Sequence, residues 1–295
     1  MMRPPLVLDT DGSVGPLPEE IRLAVSDDWR EAVRFGCSQR TLHAHMDMLA
    51  PQLPAFSHHG TVFIGSGDFH HLSWPLIQRC LRSQHQPIEV VVLDNHPDNM
   101  RFPWGIHCGS WVRQVALLPE VAHMHVIGIT SGDLGLGHAW EHQLAALRAG
   151  KLTYWSCGVD TGWARYLGLS ERFRSFTHPD ALAAAAAKHL AQSHHPVYLS
   201  IDKDVFAPNV VRTNWDQGQM QQAHLAQLLP ALRGRLIGSD VTGDVSTWQY
   251  RSAWKRWLSA ADGQQTEREA AELPQWQAQQ HAFNLQLLEQ LAALG

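Results

Sequence analysis

Asp94-Asn95-His96-Pro97-Asp98 sets three potential metal ligands at alternate positions, directly after the apolar run Ile88-Glu89-Val90-Val91-Val92-Leu93. An extended backbone sends residues i, i+2 and i+4 to one side, so Asp94, His96 and Asp98 can converge beyond the end of a buried strand. The same five residues are also ordinary turn composition, and what accompanies them decides between the two meanings. Two other apolar runs end alike. Thr61-Val62-Phe63-Ile64 leads into Gly65-Ser66-Gly67-Asp68-Phe69-His70-His71, and Val197-Tyr198-Leu199 leads into Ser200-Ile201-Asp202-Lys203-Asp204. In the latter, alternate spacing places Asp202 and Asp204 together and turns Lys203 away. Four carboxylates and two imidazoles form an oxygen-rich donor set, better suited to Mn²⁺ or a related ion than to a thiolate zinc site. Six donors are too many for one open site and suit two ions that share carboxylates.

The elements that must position these clusters read as strands alternating with helices. The strands are residues 6–8, 61–64, 88–93, 121–129, 152–155, 197–202 and 236–241. Helical spacing covers residues 18–49, broken near Gly36 and Ser38, then 72–82, 110–118, 138–148, 181–191 behind Asp180 as N-cap, 219–232 and 275–294. Such alternation predicts an α/β fold, a single three-layer αβα domain over residues 1–295 with a mainly parallel sheet. Ligands of such sheets bind beyond the carboxyl ends of the strands. All three clusters stand at predicted strand ends.

Composition narrows the function classes. With 295 residues, 44% hydrophobic and 17% charged, the chain reads as a globular protein with a sizeable core. A net charge of -5 and the lack of any basic run argue against nucleic acid as a partner. No stretch approaches the roughly 20 apolar residues of a membrane span, and the apolar start of the chain is interrupted at Asp9, too early for a signal sequence. Cys37, Cys80, Cys108 and Cys157 are widely spaced without a C-x-x-C pair, so neither a zinc knuckle nor a disulfide framework is expected, and the cytoplasm is the default compartment.

The three blocks resemble the signatures of the ureohydrolase superfamily of arginases and agmatinases: G-G-D-H, D-A-H-x-D, and S-x-D-x-D ending in proline. Here they are Gly65-Ser66-Gly67-Asp68-Phe69-His70, Asp94-Asn95-His96-Pro97-Asp98, and Ser200-Ile201-Asp202-Lys203-Asp204-Val205-Phe206-Ala207-Pro208, in the family's order. The resemblance implies an arginase-like fold and two divalent ions, manganese being the expected species, bridged by Asp94 and Asp202. One ion would add His70 and Asp98, the other His96 and Asp204. The extra Phe69 leaves His70 or His71 as the first-block ligand. His70 is preferred because it needs the smaller displacement, and His71 would then line the pocket. A family histidine in an H-G context that shuttles protons corresponds to His107 in Gly105-Ile106-His107-Cys108-Gly109.

The implied reaction is hydrolysis of a C–N bond in a small guanidino, amidino or amide compound. A metal-activated hydroxide would attack, Asp98 would orient it, and His107 would help to protonate the departing amine. Guanidine-cleaving members carry D-x-x-E after a late strand, whereas this chain has Asp240-Val241-Thr242-Gly243-Asp244, with glycine at the glutamate position. Asp244, one residue late, is then the candidate for a cationic substrate. Two alternatives are a metal-binding protein of the same fold without turnover, and a metallophosphoesterase. The latter usually begins with D-x-H and ends with G-N-H, an order this chain lacks. Histone-deacetylase-like amidohydrolases share the broad fold but use fewer carboxylates. Trp104 and Trp215 are pocket candidates, and Trp248 through Trp257 reads as a half-buried helix or a subunit contact, since members of the family are often homo-oligomers.

Overall fold

The computed structural model describes residues 3–261 and 266–294. The chain runs β1 (Leu6–Asp9), β2 (Ile21–Ala24), α1 (Asp27–Val33), β3 (Gly36–Cys37), α2 (Gln39–Leu49), β4 (Val62–Ser66), α3 (Ser73–Leu81), β5 (Ile88–Leu93), β6 (Ile106–His107) and α4 (Val112–Ala116). It continues through β7 (Val121–Ile129), α5 (Ala145–Arg148), β8 (Leu152–Cys157), β9 (Phe173–Phe176), α6 (Pro179–Leu190), β10 (Val197–Asp202), α7 (Gln222–Leu228), β11 (Leu236–Asp244), α8 (Ala253–Ala261) and α9 (Thr266–Ala292).

Nine strands form one sheet in the order β2-β1-β4-β11-β10-β5-β7-β8-β9, with every pairing parallel. The central strands are apolar on both faces, as burial from two sides requires. Leu8, Ile64, Val90 and Val92 pack with Leu42, Met46, Ile77 and Val115 of α2, α3 and α4. Val7, Phe63, Val91, Leu199 and Val241 pack on the opposite face with Leu182, Leu225 and Leu287 of α6, α7 and α9. This is the predicted three-layer α/β architecture. The decisive topological feature is that β10 and β11, late in the chain, insert between β4 and β5. The three polar blocks therefore follow β4, β10 and β5, within four consecutive strands at the centre of the sheet.

Several predicted elements differ. Residues 21–24 form a strand rather than helix, with Leu6 opposite Ile21 in register, because four residues are too few for a helical period to assert itself. Residues 139–144 are not helical. Arg101 N donates to Glu141 O at 2.7 Å and Gln143 N to Asn99 O at 3.0 Å, so this stretch pairs with the loop after β5. The N-cap of α6 is His178, with Pro179 opening the helix and Asp180 inside its first turn. The edge strand β9 was not anticipated; two of its four residues are exposed, which erases the apolar signal. Among the described residues no helix is long and apolar enough to cross a membrane.

Candidate metal centre

The blocks reach their geometry by turning, not by continuing as strands. After β5, Asp94 Oδ1 accepts from His96 N at 2.7 Å, and Asp98 takes a left-handed φ of 45°. The predicted extended D-x-H-x-D is thus an Asx-type turn followed by a kink. After β10, Asp202 caps a single 3-10 turn, its Oδ1 accepting from Asp204 N at 3.1 Å. After β4, Ser66 caps a 3-10 turn over Gly67–Leu72 that carries His70 inward.

Two compact groups result, His70 with Asp94 and Asp98, and Asp94 with His96 and Asp204, with ligand atoms in each within 4.8 Å of one another. Asp94 belongs to both. His70 Nδ1 lies 2.8 Å from Asp98 Oδ2 and 3.3 Å from Asp94 Oδ2, and His96 Nδ1 lies 2.9 Å from Asp204 Oδ2 and 3.7 Å from Asp94 Oδ1. Asp202 joins from the side, its Oδ2 3.4 Å from His70 Nδ1. All four aspartates and His70 are buried.

Crowding these carboxylates shifts their protonation. Burial, then repulsion from Asp94, pushes both Asp98 and Asp204 up to about 7. Burial and the Asp204 charge raise Asp202 well above the ordinary range. Burial would raise Asp94 too, but hydrogen bonds to His70 and His96 hold it below the usual carboxylate value. For the two imidazoles burial works downward and is outweighed by the surrounding carboxylates, so both are raised well above 6.5. A buried carboxylate cluster is stabilised when it coordinates cations. Asp94 Oδ2, buried and with only the His70 ring nitrogen beside it at 3.3 Å, marks where such a charge fits.

The surroundings fix this constellation. Trp111 Nε1 donates to Asp98 Oδ2 at 2.7 Å. His70 Nε2 meets Ser200 Oγ at 3.1 Å, and Ser200 donates to Asp240 Oδ1 at 2.7 Å. Asp240 also accepts from Ser73 and Tyr198. Asn95 N donates to Asp204 Oδ1 at 3.1 Å. The structure also brings in Asp216, which the sequence blocks do not contain: its Oδ1 lies 2.7 Å from His96 Nε2. Its only sequence signal is its place beside Trp215.

His107 stands at the rim. Its Nδ1 accepts from Gly109 N at 3.0 Å, and burial lowers its pKa to about 4. A Cβ on Gly109 would lie 3.0 Å from His107 Cε1 and 3.8 Å from Asp98 Oδ1, which brackets the two side chains around one short backbone stretch. Phe35 stacks between His107 and Trp215, with ring centroids 6.2 and 6.3 Å away. Trp215 meets His96 edge-on at 6.0 Å. Trp104 is exposed and touches Phe102 rather than the carboxylates. His71 is fully buried, neither ring nitrogen has a hydrogen-bond partner among the described residues, and burial followed by the charges of His107, Lys255 and His70 lowers its pKa to about 3. His70 joins the carboxylates and His71 does not.

Asp244 does not take the part expected of it. Its carboxylate is enclosed, 2.8 Å from Lys203 Nζ, and accepts from Asn284 Nδ2 at 2.9 Å. Removing one member of such a buried pair costs about 3–5 kcal/mol, so this charge serves the fold. Gly243, where the resemblance would place a glutamate, has φ +90°, and a Cβ there would come within 2.5 Å of Asp202 Oδ1 and 2.8 Å of Lys203 N. A side chain is barred there by backbone geometry and by contact. The stretch read as a half-buried helix or a subunit contact straps over the end of α1: Trp248 Nε1 donates to Glu31, Tyr250 to Asp68, and Lys255 Nζ to the carbonyls of Glu31, Ala32 and Arg34. A cavity of about 890 Å³ beside Thr61, Leu236 and Ser239 opens where β4 and β11 begin, remote from the carboxylates.

Comparison with solved structures identifies the architecture. Proclavaminate amidino hydrolase from Streptomyces clavuligerus superposes over 100% of this chain and 93% of its own, with a TM-score of 0.56 and 17% identity. The chain has the ureohydrolase fold. Formimidoylglutamase from Bacillus subtilis aligns over 99% of this chain and 87% of its own at TM-score 0.51 and 14% identity. A Mn²⁺-containing formiminoglutamase variant from Trypanosoma cruzi aligns over 94% and 77% at TM-score 0.53 and 10% identity. An uncharacterized protein of Thermotoga maritima is 26% identical over 200 residues, 68% of this chain and 62% of that relative, so the match spans less than two thirds of the relative's length. No family model matches the chain.

Proposed function

We propose that this protein is a divergent ureohydrolase that cleaves a C–N bond in a small guanidino, amidino or amide compound with the help of two divalent ions, manganese being the expected species. The observation that carries the reading is Asp94, whose two oxygens face two separate groups of ligands, Oδ2 toward His70 and Oδ1 toward His96. His70 and Asp98 would hold one ion, His96 and Asp204 the other, with Asp94 shared and Asp202 joining as the second bridge. Bound divalent ions supply Lewis acidity and lower the pKa of a coordinated water toward neutrality.

The chain's own residues supply orientation and proton traffic. Asp98, anchored through Oδ2 by the Trp111 indole, has Oδ1 left to orient the attacking water. With Nδ1 accepting from Gly109, the neutral His107 ring carries its proton on Nε2, the atom able to hydrogen-bond a departing nitrogen. Phe35, Trp215 and Phe102 surround the rim with aromatic surface that limits water. Because Gly243 admits no side chain and Asp244 is paired with Lys203, neither position offers a free carboxylate to a cationic substrate group. Assembly into a homo-oligomer belongs to the same reading, supported by the exposed indoles of Trp104, Trp140, Trp254 and Trp257.

Urea or ammonia release across guanidino, amidino and amide compounds, with Mn²⁺ added and bound metal counted, tests the proposal. Turnover of one class with two ions bound is the expected outcome. A chain that binds neither ion refutes it. Gly243 favours one second reading, a metal-binding protein without turnover, which two bound ions and silence across the panel would select.

A further inference from the structure

We infer that Asp216 is a positioning residue for His96, a carboxylate–histidine pair that holds the second ion of the centre; this rests on the metal-centre reading above. His96 directs Nδ1 at Asp204 and Asp94 and meets Asp216 Oδ1 with Nε2 at 2.7 Å. A ligating histidine has one ring nitrogen for the metal, and the partner of the other fixes its tautomer, its ring orientation and its basicity.

Asp216 itself lies in the loop between β10 and α7 and is 65% exposed, so a bare surface ion pair is the competing account. Asn95 argues against that account. This fully buried residue, between Asp94 and His96, donates through Nδ2 to Asp216 O at 3.0 Å and to Asp216 Oδ2 at 3.1 Å. Its Oδ1 accepts from Thr130 N and Thr130 Oγ1, at 3.1 and 2.6 Å. The end of β7 thus holds Asn95, Asn95 holds one oxygen of Asp216, and the other oxygen is left for His96. A surface carboxylate paired by charge alone has no need of a buried amide to aim it.

Calorimetric titration of the metal-free protein with Mn²⁺ alone, together with metal content after desalting, tests the role. In Asp216→Ala one of two binding steps should weaken about 10–100-fold, and in Asp216→Glu most of that loss should be recovered. The metal-free variant should keep a single cooperative melting transition, so that both affinities are read on folded protein. Wild-type affinity for both ions in Asp216→Ala, or equal weakening of both steps, overturns the positioning role and leaves the metal-centre reading intact. A wild-type chain that takes up no ion overturns both.

Discussion

The two halves of the candidate centre meet at Asp94 and differ in how each is held. The His70 half is sealed: its imidazole meets Ser200, which leans on Asp240, and its carboxylate Asp98 is clamped by Trp111. The His96 half opens outward, its imidazole 15% exposed and backed by a carboxylate that stands 65% in solvent. One half is held by neutral hydroxyls and an indole inside the core, the other by a charge at the surface. If both hold ions, the inner one should exchange slowly and the outer one readily, because exchange needs water and displaceable ligands within reach.

The most severe way to break the comparison is to remove what the halves share. Asp94→Ala should bring the metal content from two ions toward none and abolish turnover, read by elemental analysis and the hydrolysis assay; full occupancy would dissolve the centre as described. Next in size, His107→Gln should slow turnover by about 10²–10⁴ while both ions stay bound. Smaller again, Ser200→Ala should weaken the tighter Mn²⁺ step about 10–100-fold and spare the weaker one, the mirror image of the Asp216 variant. If Ser200→Ala weakens the looser step instead, the inner and outer assignments are reversed.

The smallest effect is a pH slope in the metal-free protein. Asp98 and Asp204 fold with values near 7 and unfold with ordinary ones, so between about pH 4 and 7 the folded state binds the extra protons. The sign follows: their contribution is most favourable below about pH 4 and is lost as pH rises toward 7. Asp98→Asn and Asp204→Asn should each remove part of this slope, at most about 1.4 kcal/mol per pH unit. Chemical denaturation across that range measures it, and saturating Mn²⁺ should flatten the wild-type curve.

Much of this was legible in the residues. Three apolar runs, each ending in carboxylate and imidazole, mark strand ends in a parallel sheet, because buried strands read as continuous apolar segments and their ends as turn chemistry. Short elements escaped: β2 and β9 have four residues each, and residues 139–144 lose their helical pattern to pairing with another loop. Asp216 escaped for a different reason. It lies 120 residues from His96, and no local pattern reports a contact of that separation.

By itself the sequence determined the donor types, their order and their placement at strand ends, because those are local properties of apolar runs and turns. Only the tertiary structure decided which donors meet. Inserting β10 and β11 between β4 and β5 brings Asp202 and Asp204 beside Asp94, and the 3-10 turn after β4 selects His70 over His71. Packing also withdrew Asp244 into a pair with Lys203 and closed Gly243 to any side chain. Such outcomes depend on which surfaces come to share a volume, and that is set by the whole fold at once.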